Sequence, residues 1–333
     1  MSNTASVPVT VRRIAIAVAV MALIAVPFAV REIYYVNIAS QILLYAIFAL
    51  GLNVLVGYAG LVSLGHAGLF GISAYVTAYL LAAGHGHTVS ILAAIAAGLL
   101  GTAGFAALAL RATGISFIMI TLALGEIIWG LAYRWISLTN GDNGISVATR
   151  PQPFGFSLAN ARGFYDATLV IFLLAVAASA VFVRSPFGAA LCGSRDQPRR
   201  MNALGYHVWM IRFGAFMFSG LLTSVAGILF VYYNEFISPQ ALALTASAEG
   251  LLMVISGGAG TLLGPVVGAA LVVIVKNVVS AYVTRWNFML GAIFVAIVIF
   301  MPEGMVPGAV RLTRSAWRAS HKKKPAAPVV EQP

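Results

Sequence analysis

Four ionisable residues lie within apolar runs of the sequence: His66, Glu126, Glu249 and Lys276. Such groups are costly in a membrane, so each should face a cavity or a partner, line a transport pathway, or relay protons. A relay needs a chain of titratable groups, and the chain has only 9 Asp and Glu. A pathway or packing role is therefore favoured over proton coupling. Glu249 stands near the start of its short run, and hydration at a membrane interface is the alternative interpretation for both Glu126 and Glu249.

Motifs for catalysis, metal binding and ATP binding are absent from the sequence. It contains no G-x-x-x-x-G-K-[ST], G-x-S-x-G or H-E-x-x-H motif. The single cysteine, Cys192, cannot form an intrachain disulfide, and the close pair His85 and His87 stands in a Gly-rich stretch without further ligands. We therefore expect no catalytic residue, no metal site and no cofactor in this chain.

The composition predicts the elements that must position these residues. Of 333 residues, 61% are hydrophobic and only 9% are charged, against about 25% charged in soluble domains. This excludes a disordered chain, a nucleic-acid-binding module and an ordinary soluble enzyme, and it predicts an all-α polytopic membrane protein. We expect about ten spans, with eight as the lower bound, in apolar runs at 14–30, 38–56, 62–83, 89–110, 115–136, 166–183, 212–233, 246–257, 262–282 and 288–302.

Charge placement favours ten crossings with both termini in the cytoplasm. In that topology fourteen of the 20 Lys and Arg face the cytoplasm and five face outside, as the positive-inside rule requires. The run 246–257 is too short to cross comfortably alone, so it is a broken or tilted helix or one arm of a re-entrant hairpin. The predicted regions are a cytoplasmic N-terminus, one transmembrane domain with an outer loop and a cytoplasmic loop, and a basic tail beside lipid: 1–13, 14–302, 137–165, 184–211 and 303–333.

A glycine pattern occurs twice, each time at the junction of two apolar runs. Gly57 and Gly60 are followed by Gly65, and Gly257 and Gly260 are followed by Gly264. Two similar hairpins with broken helices are typical of transporters built from repeats, although chance in so Gly-rich a chain is the alternative. We assign the pathway and the helix breaks to Asn53, Gly57, Gly60, Ser63, Gly65, His66, Glu126, Glu249, Gly257, Gly260 and Gly264.

The cytoplasmic loop contains a short predicted helix. It starts near Ser194 and runs through Leu204, with Ser194 or Asp196 as its cap, Pro198 in the first turn and Gly205 at its end. A basic helix between two spans is a candidate docking element. An amphipathic linker lying on the lipid headgroups is the alternative.

Four stretches together resemble the membrane subunits of ATP-driven importers for branched-chain amino acids, in particular the second, M-type permease. They lie at 51–67, at 120–126 with 138–144, at 185–188 with 195–205, and at 236–239 with 257–265. The resemblance covers residues 14–308. In one departure, Pro198, Arg199, Arg200 and Met201 stand where the family often has Glu and small residues before Ala-Leu-Gly.

The resemblance implies a permease subunit, not an enzyme, in a bacterial inner membrane. It would pair with a second homologous permease, with two ATPase subunits that bind ATP and Mg, and with an external solute-binding protein. The short helix would be the coupling helix that docks on an ATPase, through Arg195, Asp196, Arg199, Arg200, Ala203, Leu204 and Gly205. The outer loop would contact the binding protein.

Other functions stay open at this point. The resembling family also includes importers of urea, amides and aromatic acids. An ion-gradient-driven secondary transporter would need a relay that the sequence does not show, and a respiratory subunit would more often carry paired His ligands or Lys/Glu relays in its spans. A membrane-embedded enzyme would need a catalytic set.

Overall fold

A computed structural model describes residues 32–147, 160–282, 286–301, 303–308 and 311. The first predicted span lies outside the described residues, as does most of the predicted basic tail. The described chain is helical, with twelve α-helices: α1 Ile33–Asn53, α2 His66–Ala82, α3 His87–Ala109, α4 Ile115–Arg134, α5 Ile136–Thr139, α6 Ala161–Arg184, α7 Pro186–Asp196, α8 Pro198–Ala203, α9 Val208–Asn234, α10 Leu244–Gly257, α11 Gly264–Tyr282 and α12 Trp286–Phe300.

Five helices in the described part are long and apolar enough to cross a bilayer, namely α1 with its extension to Ala59, α3, α4, α6 and α9. Shorter apolar helices form α2, α10 and most of α11. With 27 residues, α9 is about 40 Å long at 1.5 Å per residue and exceeds the bilayer core. The chain is thus an α-helical, multi-pass membrane protein, and it also contains several helices too short to span alone.

The centre of the bundle is formed by α1 and α9, whose most apolar windows are 78% and 67% buried, against 22–28% for α3, α4 and α6. Small residues permit this close packing. A Cβ on Gly227 of α9 would overlap the carbonyl oxygen of Phe70, and one on Gly220 would overlap the Thr102 side chain. Lipid gives helices no hydrophobic reason to associate, so close backbone approach at small residues has to hold them together.

A small antiparallel ladder joins the predicted outer loop to the segment after α9. Strand β1 is Ile145–Ser146 and strand β2 is Phe236–Ile237, with Ile145 opposite Ile237 and Ser146 opposite Phe236. The loop reaches this position through Asn140, whose φ of 58° is left-handed and whose amide donates to the Gly144 carbonyl at 2.9 Å. This two-residue pairing is a minor addition to a described chain that is otherwise helical, as the all-α prediction expects.

The predicted helix near 194–204 is in fact two helices, α7 and α8, separated at Gln197. The α region is sterically disfavoured for the residue before a proline, and Gln197, before Pro198, has φ −145° and ψ 78°. Pro198 stands in the first turn of α8 as predicted. Gly205 follows the helix with a φ of 87°, as a helix-terminating glycine should.

The predicted caps of this helix are wrong. The Ser194 hydroxyl donates to the Leu191 carbonyl at 2.7 Å, inside α7. Asp196 is exposed and pairs with Arg195. Neither side chain reaches the start of α8, which has no side-chain cap. Both residues lie before the proline-imposed break, so they belong to the end of α7.

Candidate functional site

The two glycine-rich junctions predicted as helix breaks lie against each other. After α1 the chain forms a π-helix at Val54–Ala59 and turns at Gly60, where φ is 69°. After α10 it turns through Gly258 and Gly260, with φ of 118° and 78°. A Cβ on Gly57 would overlap the backbone nitrogen of Gly260. The two junctions therefore cross backbone to backbone, and only glycine fits at position 57.

Asn53 joins the two junctions by a pair of hydrogen bonds. Its side-chain amide donates to the carbonyl oxygen of Thr261 at 2.9 Å, and its Oδ1 accepts from the backbone N–H of Gly260 at 2.9 Å. The side chain is fully buried. Two partly buried backbone groups of the second junction thus have one side-chain amide of the first as their partner.

The second junction is closed by its own threonine. The Thr261 hydroxyl donates to the Gly258 carbonyl at 2.8 Å and accepts from the Gly264 N–H at 3.0 Å. A Cβ on Gly257 would overlap the Gly264 carbonyl oxygen. The hairpin of α10 and α11 is therefore tightly pinned where its two helices meet.

Arg195 connects the predicted cytoplasmic loop to this crossing. Its Nη1 donates to the carbonyl oxygen of Gly57 at 2.7 Å, and its aliphatic stem lies over Gly60. Its Nε donates to Asp196 at 2.8 Å, in an exposed pair. The structure thus brings together two groups of residues that the sequence predicted separately, one for coupling and one for the helix breaks.

The other residues predicted for coupling form an exposed surface beside Arg195. No residue of α8 is fully buried, and Arg199, Arg200, Ala203 and Gly205 are all exposed. Leu204 is 65% exposed. Apolar side chains extend this surface around the start of α9: Tyr206, Trp209 and Met210. A helix with so few contacts in its own chain, carrying cations and exposed apolar groups, fits a docking element for another protein.

The His66 imidazole lies in a fully buried polar cluster. Its Nδ1 is 2.8 Å from the Ser63 hydroxyl and its Nε2 is 2.9 Å from the Ser219 hydroxyl. Because Ser219 donates to the Gly51 carbonyl at 2.6 Å, it accepts a hydrogen bond from Nε2–H. His66 lines no described cavity. Its contacts connect α1, α2 and α9.

Gly65 and Glu126 occupy different environments on the α4 side. A Cβ on Gly65 would overlap the Thr121 carbonyl oxygen, so this glycine allows the turn before α2 to pack on α4. Glu126 is half-buried on α4, and within the described residues it forms no ion pair or hydrogen bond. Neither residue lies beside the cavity described next.

Glu249 forms an ion pair with Lys276, its counterpart on the neighbouring helix. Lys276 Nζ lies 3.1 and 3.3 Å from the two carboxylate oxygens. The pair lines a cavity of about 380 Å³, together with aromatic and small residues of α1, α2, α9 and α10. Asn234 at the end of α9 also lines it, whereas the start of α9 adjoins α8. The cavity and the exposed surface around α8, which is the predicted coupling surface, therefore lie at opposite ends of α9.

Sequence reasoning missed several residues of this cavity. Lys276 was recognised as costly but was not assigned to the site. Tyr45, Phe48 and Phe70 also line the cavity. In the sequence they cannot be distinguished from the other aromatic residues of the apolar runs. The one available signal was that Glu249 and Lys276, of opposite charge, stand in adjacent antiparallel runs.

The sequence is similar to permease proteins of known transport systems. Residues 34–298 match the family model described as branched-chain amino acid transport system / permease component. The high-affinity branched-chain amino acid transport system permease protein LivM of Escherichia coli K12 is 33% identical over 300 residues, 82% of this chain and 70% of its own. LivM of Salmonella typhimurium is 32% identical over 301 residues, with the same coverage.

A second kind of relative is more distant. The permease protein LivH of the same-named system in Escherichia coli K12 is 22% identical over 297 residues, 79% of this chain and 91% of its own. No solved structure matches the chain significantly.

Proposed function

The chain belongs to the family of permease components of branched-chain amino acid transport systems, and from this premise we propose its mechanism and its partners. It is a multi-pass permease subunit of an importer of the ATP-binding-cassette type. We propose that it forms part of a pathway for branched-chain amino acids in a bacterial inner membrane, working by alternating access. The proposed topology has ten spans and cytoplasmic termini, because the basic residues then concentrate on one side.

The proposed partners are two ATPase subunits, a second homologous permease and an external solute-binding protein. The ATPases bind ATP and Mg, and this chain needs no cofactor of its own. Two permease proteins of one named system, LivM and LivH, are both similar to this chain. That similarity supports pairing between two related permeases.

The observation that carries the proposal is the hydrogen bond from Arg195 to the Gly57 carbonyl. It links the loop that carries the exposed α8 to the point where the two junctions cross. Gly57 in turn lies against Gly260, at the base of the α10–α11 hairpin. A displacement of α7 and α8 by a bound ATPase is thereby passed to the hairpin.

ATP acts in this scheme through the partner's differential contacts. Binding of ATP can shift the permease only by as much as the ATPase dimer prefers one permease conformation over the other. The exposed cations and apolar residues around α8 are the groups available to supply that preference. Closure of the ATPases then opens the permease toward a loaded binding protein, and return releases the solute inward.

The test reverses the charge of the docking surface. We expect the double variant Arg199→Glu, Arg200→Glu to lose assembly with the ATPases and ATP-dependent uptake in proteoliposomes. Arg111→Glu, an exposed cation in the α3–α4 connection on the same proposed side, is the matched control and should retain both. Undiminished assembly and uptake in the double variant would refute the docking role. Uptake that needs no ATPase and is abolished by an ionophore would indicate a secondary transporter.

A further inference from the structure

The Glu249–Lys276 pair joins α10 to α11 and lines a cavity. The Glu249 side chain is 19% exposed and that of Lys276 is 36% exposed. Ion pairs within a membrane protein carry a desolvation cost that their mutual attraction only partly offsets. Groups of this kind inside spans by default indicate a function. Both charges are accessible from the same space.

The cavity has the size and the lining of a small-molecule site. Its volume of about 380 Å³ falls within the usual range of roughly 300–1,000 Å³. The aromatic rings of Phe48, Phe70 and Phe230 and the side chain of Met253 supply apolar walls. A Cβ on Gly250 would overlap the Phe48 ring, so this glycine allows α10 to approach that wall. In such a site the charged pair would fix the orientation of a ligand, and the apolar walls would bury its nonpolar surface.

The charges also define the chemistry of a ligand. An α-amino acid carries an ammonium and a carboxylate on one carbon, and these groups complement Glu249 and Lys276 respectively. When such a zwitterion enters, each side chain exchanges its present partner for a ligand group, and the net charge of the site does not change. Urea or an amide offers no charge, and an aromatic acid offers only an anion, which would leave the Glu249 carboxylate facing a like charge.

We propose that Glu249 and Lys276 bind the ammonium and the carboxylate of a transported α-amino acid, with its apolar side chain against the aromatic wall. The site lies at the end of α9 remote from the coupling surface. This inference rests on the proposed function and adds to it a position for the substrate and a reason for its class. It places in this chain a selectivity step separate from that of the external binding protein.

The test measures ligand binding at the cavity without ATP or the binding protein, on the full chain in lipid nanodiscs. A cysteine is introduced as Thr245→Cys in a Cys192→Ser background. Thr245 lines the cavity one helical turn before Glu249. The matched reporter is Leu244→Cys, which is exposed on the same helix and does not line the cavity. The measured quantity is the rate of maleimide modification.

L-Leucine at ten times its Kd should slow modification of the Thr245→Cys reporter about tenfold, because the site is then free for only about a tenth of the time. The Leu244→Cys reporter should not respond. Isocaproate, which lacks the ammonium, isoamylamine, which lacks the carboxylate, and urea should protect poorly at the same concentration. Glu249→Gln should raise the half-protecting leucine concentration about tenfold or more, the loss of one charged hydrogen bond.

The exchanged variant Glu249→Lys, Lys276→Glu distinguishes ligand binding by the pair from a purely structural role. It preserves the pair and should keep the elution profile of the folded chain. The proposal expects leucine protection to be lost in it, because a reversed ligand would turn its side chain away from the aromatic wall. Protection unchanged by the exchange, or equal protection by isocaproate and leucine, overturns the inference. Those results leave ATP-dependent uptake and ATPase assembly untouched, so a failure of the proposed function is recognised separately.

Discussion

The hydrogen bond between Arg195 and the Gly57 carbonyl yields a quantitative prediction about coupling. Arg195→Met removes the guanidinium and keeps most of the aliphatic stem over Gly60. A hydrogen bond to a charged group contributes about 1.5–3 kcal/mol. The Arg195 side chain is 42% exposed, so we take the lower end, about 1.5 kcal/mol, for solvent screening. That corresponds to about a tenfold change in an equilibrium constant.

The loss should appear as uncoupling and not as failed assembly. In proteoliposomes containing the full complex and its binding protein, we expect solute uptake per ATP hydrolysed to fall about tenfold. Basal hydrolysis and the yield of assembled complex should stay at the wild-type level, because the exposed residues of α8 are unchanged. Uptake and hydrolysis are measured on the same preparation, with radiolabelled leucine and released phosphate.

The neighbouring aspartate supplies the matched control. Asp196→Asn removes the negative charge that pairs with the Arg195 side chain at 2.8 Å, but this pair is exposed. Exposed pairs contribute about 0–1 kcal/mol, so the uptake-to-hydrolysis ratio should change by less than about fivefold. An unchanged ratio in Arg195→Met, or an equal loss in both variants, would refute the reasoning that Arg195 transmits motion through Gly57.

Three further predictions concern the stability of the junctions, each measured as the thermal unfolding midpoint in detergent. Gly57→Ala should destabilise the chain by about 3 kcal/mol or prevent folding, since its methyl would overlap backbone; Gly130→Ala, in open space on α4, should not lower the midpoint, because alanine favours the helix. Asn53→Ala should cost about 1–2 kcal/mol, because it leaves the Gly260 N–H and the Thr261 carbonyl without their partner in a partly buried site; an effect no larger than that of Gly130→Ala would contradict the bridging role. Ser219→Ala should cost about 1–3 kcal/mol by removing the partner of both His66 and Gly51, and a neutral result would contradict the buried cluster.

The helices and their junctions followed from the sequence because the bilayer imposes strong rules. Apolar runs of bilayer length indicated most of the helices of the described chain, including the short one at α10. Glycine clusters marked the places where the chain turns with positive φ, at Gly60, Gly258 and Gly260. A side chain at such a position is strained, so the residue type itself records the conformation.

The contacts between remote parts of the chain could not be predicted in this way. Asn53 in an apolar run signals that it needs a partner, but Gly260 and Thr261 are more than 200 positions away. Which faces of α10 and α11 meet depends on helix rotation, so Glu249 and Lys276 could each be recognised without their pairing. The long Arg195 side chain has many rotamers, and only the fold shows that it turns inward to Gly57. The break at Gln197 was available from the sequence, in the restriction that Pro198 imposes on its predecessor.

The tight turn between α10 and α11 fixes the two helices to each other at one end of the hairpin, so a change in the angle between them moves residues far from the turn the most. Gly257 and Gly264 meet backbone to backbone at this turn, which is the point about which the two helices would tilt. At 1.5 Å per residue, Glu249 lies about 12 Å from Gly257 along α10, and Lys276 lies about 18 Å from Gly264 along α11. A tilt of α10 against α11 by about 10° therefore displaces the carboxylate by about 2 Å, enough to break its contact with the ammonium. Formation of the ion pair therefore depends on the angle between α10 and α11.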